Sequence, residues 1–226
     1  MKVLVGFLME ILLLPMYFLA GVVGYVFPLQ RVKRENSNKS PIVFVHGWLT
    51  QNPLYCFLKR SLENKGFIVY MTNFGLLSSD FNQDAQRLKD FIESKNLKDV
   101  VLVGVSGGGI VSYLYLQHFE GWKRVKKFVS IATPFGGASL AILATLFSGS
   151  ARQMMPDSFF VSKIKSERVK NPEKIVSISA KYDEAIPQEN MKLADVEHRV
   201  VDCFGHVFLQ TISSNTFSLI ENYAEE

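Results

Sequence analysis

Residues 104–108 read Gly-Val-Ser-Gly-Gly, one serine among glycines between the apolar run "VVLV" and the helical pattern "IVSYLYLQHF". A G-x-S-x-G pattern between a strand and a helix marks a sharp turn that presents a serine hydroxyl as a nucleophile. The glycines let strand and helix approach closely around it. A glycine-rich packing turn or a phosphate cradle would use similar residues, but a phosphate loop wants a lysine next, and Ile110 and Val111 stand there instead. A serine hydroxyl attacks only when a base takes its proton and a third group orients that base. Of the four histidines, His118 lies three turns along the same helix and cannot fold back, and His198 sits among charges and is expected to be exposed. His206, in "CFGHVFL", follows the last predicted strand, at the end where a parallel sheet gathers its site. It is the expected base, with His46 in "FVHGW" second. The chain order serine, acid, histidine places the acid between residues 107 and 205. Asp183, in "SAKYDEAIP", comes first there and Asp202 second; Asp195 lies in a loop or helix, and Glu184 is expected to point elsewhere. Attack on a carbonyl builds an oxyanion that needs two N–H donors. Gly107 supplies one and Trp48, in the loop after the first strand, the other, unless Trp48 mainly lines an apolar pocket.

Such residues converge only if the elements between them place their ends together. From Ile42 onward the apolar runs "IVFV", "FIVYM", "VVLVGV", "VKKFVSIA", "KIVSIS" and "HRVVDC" alternate with helical patterns over 53–66, 80–96, 108–119 and about 207–222. Val/Ile-rich runs separated by helices predict an α/β fold with a mostly parallel sheet buried on both faces. The interval 135–173 is too long for an ordinary connection, so a cap or lid insertion of about forty residues is expected. Its apolar stretch "GASLAILATLF" and the cluster Met154, Met155, Phe159 and Phe160 are the expected substrate-binding part, closing over the serine or dipping into lipid, unless they simply pack.

The first thirty residues have a different character. Ile11 to Leu29 form a nineteen-residue run without charge, followed by "RVKR". That length suits a membrane anchor, with residues 31–40 as a polar linker and the domain over 41–226. A cleaved signal peptide, with Lys2 ahead of the apolar core and "VVG" at Val22 to Gly24 as cleavage site, is the rival. Basic residues after the run favour a cytoplasmic domain.

Residues 1–39 hold five basic and two acidic residues, or +3 of the net +4, so the rest is nearly neutral. No basic stripe suits nucleic acid. The two cysteines, Cys56 and Cys203, show no metal-site spacing and leave a single bridge open. No metal or cofactor is expected, and the oligomeric state is left open.

With "VFVHGW", "GVSGG", "ATPFGG", "SAKYDEAIP" and "GHVFL" in this order, the chain from Pro41 onward resembles the compact bacterial lipases and esterases of the α/β-hydrolase superfamily. The resemblance implies Ser106 as nucleophile, Asp183 as acid, His206 as base, and Trp48 with Gly107 as oxyanion hole. Thr133-Pro134 matches the turn after the strand that follows the elbow. Gly107 replaces the bulkier residue common after the serine, and Val105 replaces the common histidine; neither change removes a donor. The expected function is a membrane-anchored serine hydrolase acting on carboxylic esters, lipids among them. Alternatives are a thioesterase or acyltransferase on the same residues, or a non-catalytic tethered binding module.

Overall fold

The computed structural model describes residues 2–26, 37–75 and 79–226. Six strands form one parallel sheet in the order β2-β1-β3-β4-β5-β6. They are β1 (Ile42–Val45), β2 (Val69–Met71), β3 (Val100–Val105), β4 (Val125–Ile131), β5 (Ile175–Tyr182) and β6 (Glu197–Phe204). β1 and β3 are buried along their whole length, as a strand covered on both faces must be. Successive side chains point to opposite faces. Val101, Val103 and Val105 therefore join one core with Leu58 and Leu62 of α2 (Cys56–Asn64), Leu209 of α7 (His206–Thr211) and Ile220 of α8 (Ser214–Glu225). Val100 and Leu102 join the other with Leu88 and Ile92 of α3 (Phe81–Ser94), Ile110 and Leu114 of α4 (Gly107–His118) and Ile164 of α6 (Phe159–Ser166). Each fully buried aliphatic side chain contributes at most about 1.5–3 kcal/mol. The alternation thus holds a helical layer on each face.

Several helices differ from the sequence expectation. The pattern over 53–66 begins as a 3-10 turn, Asn52–Tyr55, before α2. The single last helix is two, because the Ser213 hydroxyl accepts from the Thr216 N–H and starts α8 afresh. A capping serine starts a new helix where the apolar period alone continues one. Residues 135–173 hold a 3-10 segment, Ser139–Ala144, then α5 (Gly149–Gln153), α6 and a short 3-10 turn. Leu143, Leu146 and Phe147 of this stretch are exposed. Cys56 and Cys203 are both free, so no bridge joins them.

The first helix, α1, runs Lys2–Val26. It lies against the 3-10 turn Asn52–Tyr55, α7 and β6, burying Glu10 and Leu13 while Leu12 and Phe18 face outward. Among the described residues no helix is long and apolar enough to cross a membrane. The end of the expected span and most of the expected linker, residues 27–36, lie outside the described residues.

Candidate active site

β3 ends at Val105 and α4 begins at Gly107, which leaves one residue for the reversal of direction. Ser106 takes it at φ 49° and ψ −124°, a left-handed, strained conformation for a residue with a Cβ. Its N–H is held by the Ile131 carbonyl at 2.8 Å and its carbonyl accepts from Gly109 N–H at 2.9 Å. The flanking glycines have a steric cause. A Cβ at Gly108 would collide with the Val45 and His46 carbonyls, and one at Gly109 with the Thr133 side chain.

The other candidates arrive on neighbouring strand ends. β5 and β6 pair through Tyr182 and Phe204, and Gly205 N–H donates to the Tyr182 carbonyl at 2.8 Å. Asp183 and His206 therefore leave the sheet side by side. His206 Nδ1 lies 2.8 Å from Asp183 Oδ2 and His206 Nε2 lies 3.2 Å from Ser106 Oγ. The Asp183 side chain is fully enclosed; its Oδ1 accepts from Ala185 and Ile186 N–H at 2.9 and 2.8 Å. Those two donors keep the aspartate an acceptor, so Nδ1 carries the proton it donates and Nε2 is free to accept from the serine hydroxyl. Burial alone would lower the His206 pKa, but Asp183, with lesser contributions from Glu184 and Glu10, more than offsets this and raises it above the ordinary 6.5.

Register also sets which loop passes the start of α4, where Trp48 and Gly107 were the expected oxyanion donors. Val45 pairs with Gly104, so the chain leaving β1 passes the elbow, and the Trp48 N–H lies 3.2 Å from where a Gly107 Cβ would stand. Among the described residues no protein group accepts from the Trp48 or Gly107 N–H. Beside them is a recess of about 20 Å³ bounded by Gly47, Trp48, Phe81 and Gly107, the size of one small polar atom group.

The alternatives fall elsewhere. His46 is buried and neutral: its Nδ1–H donates to the Gly47 carbonyl at 2.9 Å, and its Nε2 accepts from Phe74 N–H at 3.1 Å. Burial holds its pKa down, and both nitrogens brace the loops around the site. Asp202 is turned outward, its side chain 72% exposed and 3.3 Å from Lys181 Nζ. His118, the last residue of α4, pairs with Glu167 at 3.1 Å, away from Ser106. His198 lies within β6, half-buried against the Ser179 hydroxyl, rather than exposed ahead of the strand. Asp195 is in an exposed turn. Phe159 is 86% exposed, while the Phe160 ring packs tilted against Phe81 with centroids 5.8 Å apart. The two line an open cleft of about 460 Å³ with Leu114 and Ile164; Ser106 is not on its wall.

Sequence reasoning missed two carboxylates. Glu184, expected to point away, accepts from His206 N–H at 3.1 and 3.3 Å. Glu10 accepts from Val207 and Phe208 N–H. The available signal for Glu10 was a charge inside an apolar helix, since a buried carboxylate must find donors.

The profile described as "Alpha/beta hydrolase family" matches residues 42–202, more than half of the chain, from β1 through the elbow and Asp183. The chain belongs to the alpha/beta hydrolase family. Solved alpha/beta hydrolase structures share its fold. A Bacillus licheniformis lipase in mature form is similar with a TM-score of 0.68 at 18% identity, over 86% of this chain and 95% of that one. An alpha/beta hydrolase enzyme from a metagenome of lagoon sediments at Mar Chica, Morocco, has a TM-score of 0.64 at 20% identity, over 86% and 98%. A monoacylglycerol lipase of Paleococcus ferrophilus has 0.60 at 15% identity, over 83% and 96%. No curated protein sequence matches the chain. Within the alpha/beta hydrolase frame, His206 lies four residues beyond the matched stretch, and its place follows from the β6 end rather than from the profile.

Proposed function

We propose that this alpha/beta hydrolase is a serine hydrolase that cleaves carboxylic esters through an acyl-enzyme. The observation that carries the reading is the unbroken line Ser106 Oγ, His206 Nε2, His206 Nδ1, Asp183 Oδ2, at 3.2 and 2.8 Å. His206 takes the Ser106 proton at Nε2 as Oγ bonds to the ester carbonyl carbon. The carbonyl oxygen becomes an oxyanion and accepts from the Trp48 and Gly107 N–H groups. Asp183 stabilises the imidazolium without taking its proton. Collapse breaks the ester bond, and His206 hands its proton to the departing alcohol. Water, deprotonated in turn by His206, attacks the acyl-serine and frees the acid and Ser106.

Lipid esters are the proposed substrate class. The exposed apolar side chains of residues 140–147 and Phe159 support it, as do lipases among the neighbours in fold. Attachment to a membrane surface belongs to the same reading, through the outward face of α1 with Leu12, Phe18 and Leu19. A fluorophosphonate probe tests the reading: it should modify Ser106, and Ser106→Ala should abolish both labelling and ester turnover. Labelling elsewhere, or full turnover by the alanine variant, overturns it.

A further inference from the structure

Glu10 is the one charged residue within the apolar length of α1, yet it is only 6% exposed. Its carboxylate reaches the opposite end of the sequence, accepting from Phe208 N–H at 2.9 Å and Val207 N–H at 3.3 Å. Glu184 takes the His206 N–H at 3.1 Å. The first three N–H groups of α7, which have no partner within a helix, are thus shared by two carboxylates. The residue before the base is Gly205, at φ 104° and ψ 134°, a region open only to glycine. A Cβ there would collide with the Glu10 carboxylate itself. Glycine has no preference of its own for that conformation, so outside contacts must hold the segment.

We infer that Glu10 is a positioning residue of the active site: its carboxylate, carried in on the N-terminal helix, holds the backbone of Gly205–Phe208 and so sets where the His206 imidazole stands relative to Ser106. On this inference α1 is part of the catalytic assembly and not a separable appendage. It rests on the reading of His206 as the base. The titratable groups around Glu10 are His206 on α7, Glu184 after β5 and Cys203 on β6. The turn Asn52–Tyr55 brings the Tyr55 phenol, already bonded to Thr50.

The test compares full-length Glu10→Ala, Glu10→Gln and Leu13→Ala, the last removing buried packing from the same helix without touching the carboxylate. Glu10→Ala should lower kcat on a short soluble ester by about 10- to 100-fold, the cost of misplacing a reacting group by the order of an ångström, with KM nearly unchanged. Glu10→Gln should recover most of kcat, because its amide oxygen still accepts from Phe208 N–H. Leu13→Ala should melt earlier and keep kcat. By NMR, the His206 imidazole should titrate at lower pH in both Glu10 variants, since a carboxylate favouring the imidazolium is gone. Wild-type kcat and His206 titration in Glu10→Ala would overturn the inference, as would a loss that Glu10→Gln fails to restore and Leu13→Ala reproduces. If wild-type Ser106 resists the fluorophosphonate, the hydrolase reading fails instead; the NMR titration still reports on the Glu10 contact.

Discussion

At the scale of single residues, two aspartates close in sequence face opposite surroundings, and that difference makes the acid assignment testable. Asp183 is enclosed and holds His206 Nδ1, whereas Asp202 meets solvent and Lys181. Asp183→Asn should cost on the order of ten-thousandfold in turnover, because the wrong imidazole tautomer would face the serine. Asp202→Asn should change it little, and steady-state kinetics on a short ester separates the two; an inactive Asp202→Asn alone would reverse the assignment. The base must be neutral to act. Because the neighbouring carboxylates raise His206 above the ordinary 6.5, kcat/KM should climb with pH through an apparent pKa above that value. A limb centred below it would mean that burial outweighs Asp183.

At the scale of elements, the elbow exists because α4 starts against β1 and the turn after β4 with no room for side chains. Gly108→Ala pushes a methyl into the Val45 and His46 carbonyls. Overpacking of this kind costs about 1–3 kcal/mol, and urea denaturation should show it together with lost activity, since the shift displaces Ser106. The α1 contact has its own pH signature. Burial, opposed by the Phe208 and Val207 N–H groups, raises Glu10 from 4.5 to about 7. A carboxyl raised in the folded state contributes stability that is full below its unfolded pKa and is lost as pH rises through the folded one. The melting temperature of the wild type should therefore fall more between about pH 5 and about pH 8 than that of Glu10→Gln. Parallel curves would place the Glu10 charge in solvent.

At the scale of the molecule, apolar side chains stand exposed on two separate parts of the chain. One set is Leu12, Phe18 and Leu19 on α1; the other is Leu143, Leu146, Phe147 and Phe159 in the stretch between β4 and β5. On the proposed membrane attachment, these exposed apolar side chains are the groups that would meet lipid. If α1 attaches the protein to lipid as proposed, the wild type should sediment with phospholipid vesicles and Phe18→Asp with Leu19→Asp should not, while turnover of a soluble short ester stays intact; a wild type left in the supernatant would refute the attachment. Phe159→Asp should lower turnover of vesicle-borne ester selectively, whereas Phe160→Asp should also lower the melting temperature, because Phe160 packs against Phe81. Equal losses on soluble and vesicle-borne substrates for Phe159→Asp would make it an ordinary packing residue.

The alternation of Val/Ile runs with helical patterns was enough to determine the parallel sheet, because strands buried on both faces cannot be polar. The glycines around Ser106 announced the elbow, since only a chain needing close approach repeats them there. Chain order and strand ends were enough to rank His206 and Asp183 first. Sequence left open which way Asp183 and Asp202 face, and direction separates them: one leaves β5 toward β6's end beside His206, the other lies on the outer edge strand facing solvent. The split of the last helix escaped the apolar period because a single serine cap interrupts it. The place of Glu10 was the least legible feature. Its partners are 197 and 198 residues away, and local pattern carries no information about contacts made only when the two ends of a folded chain meet.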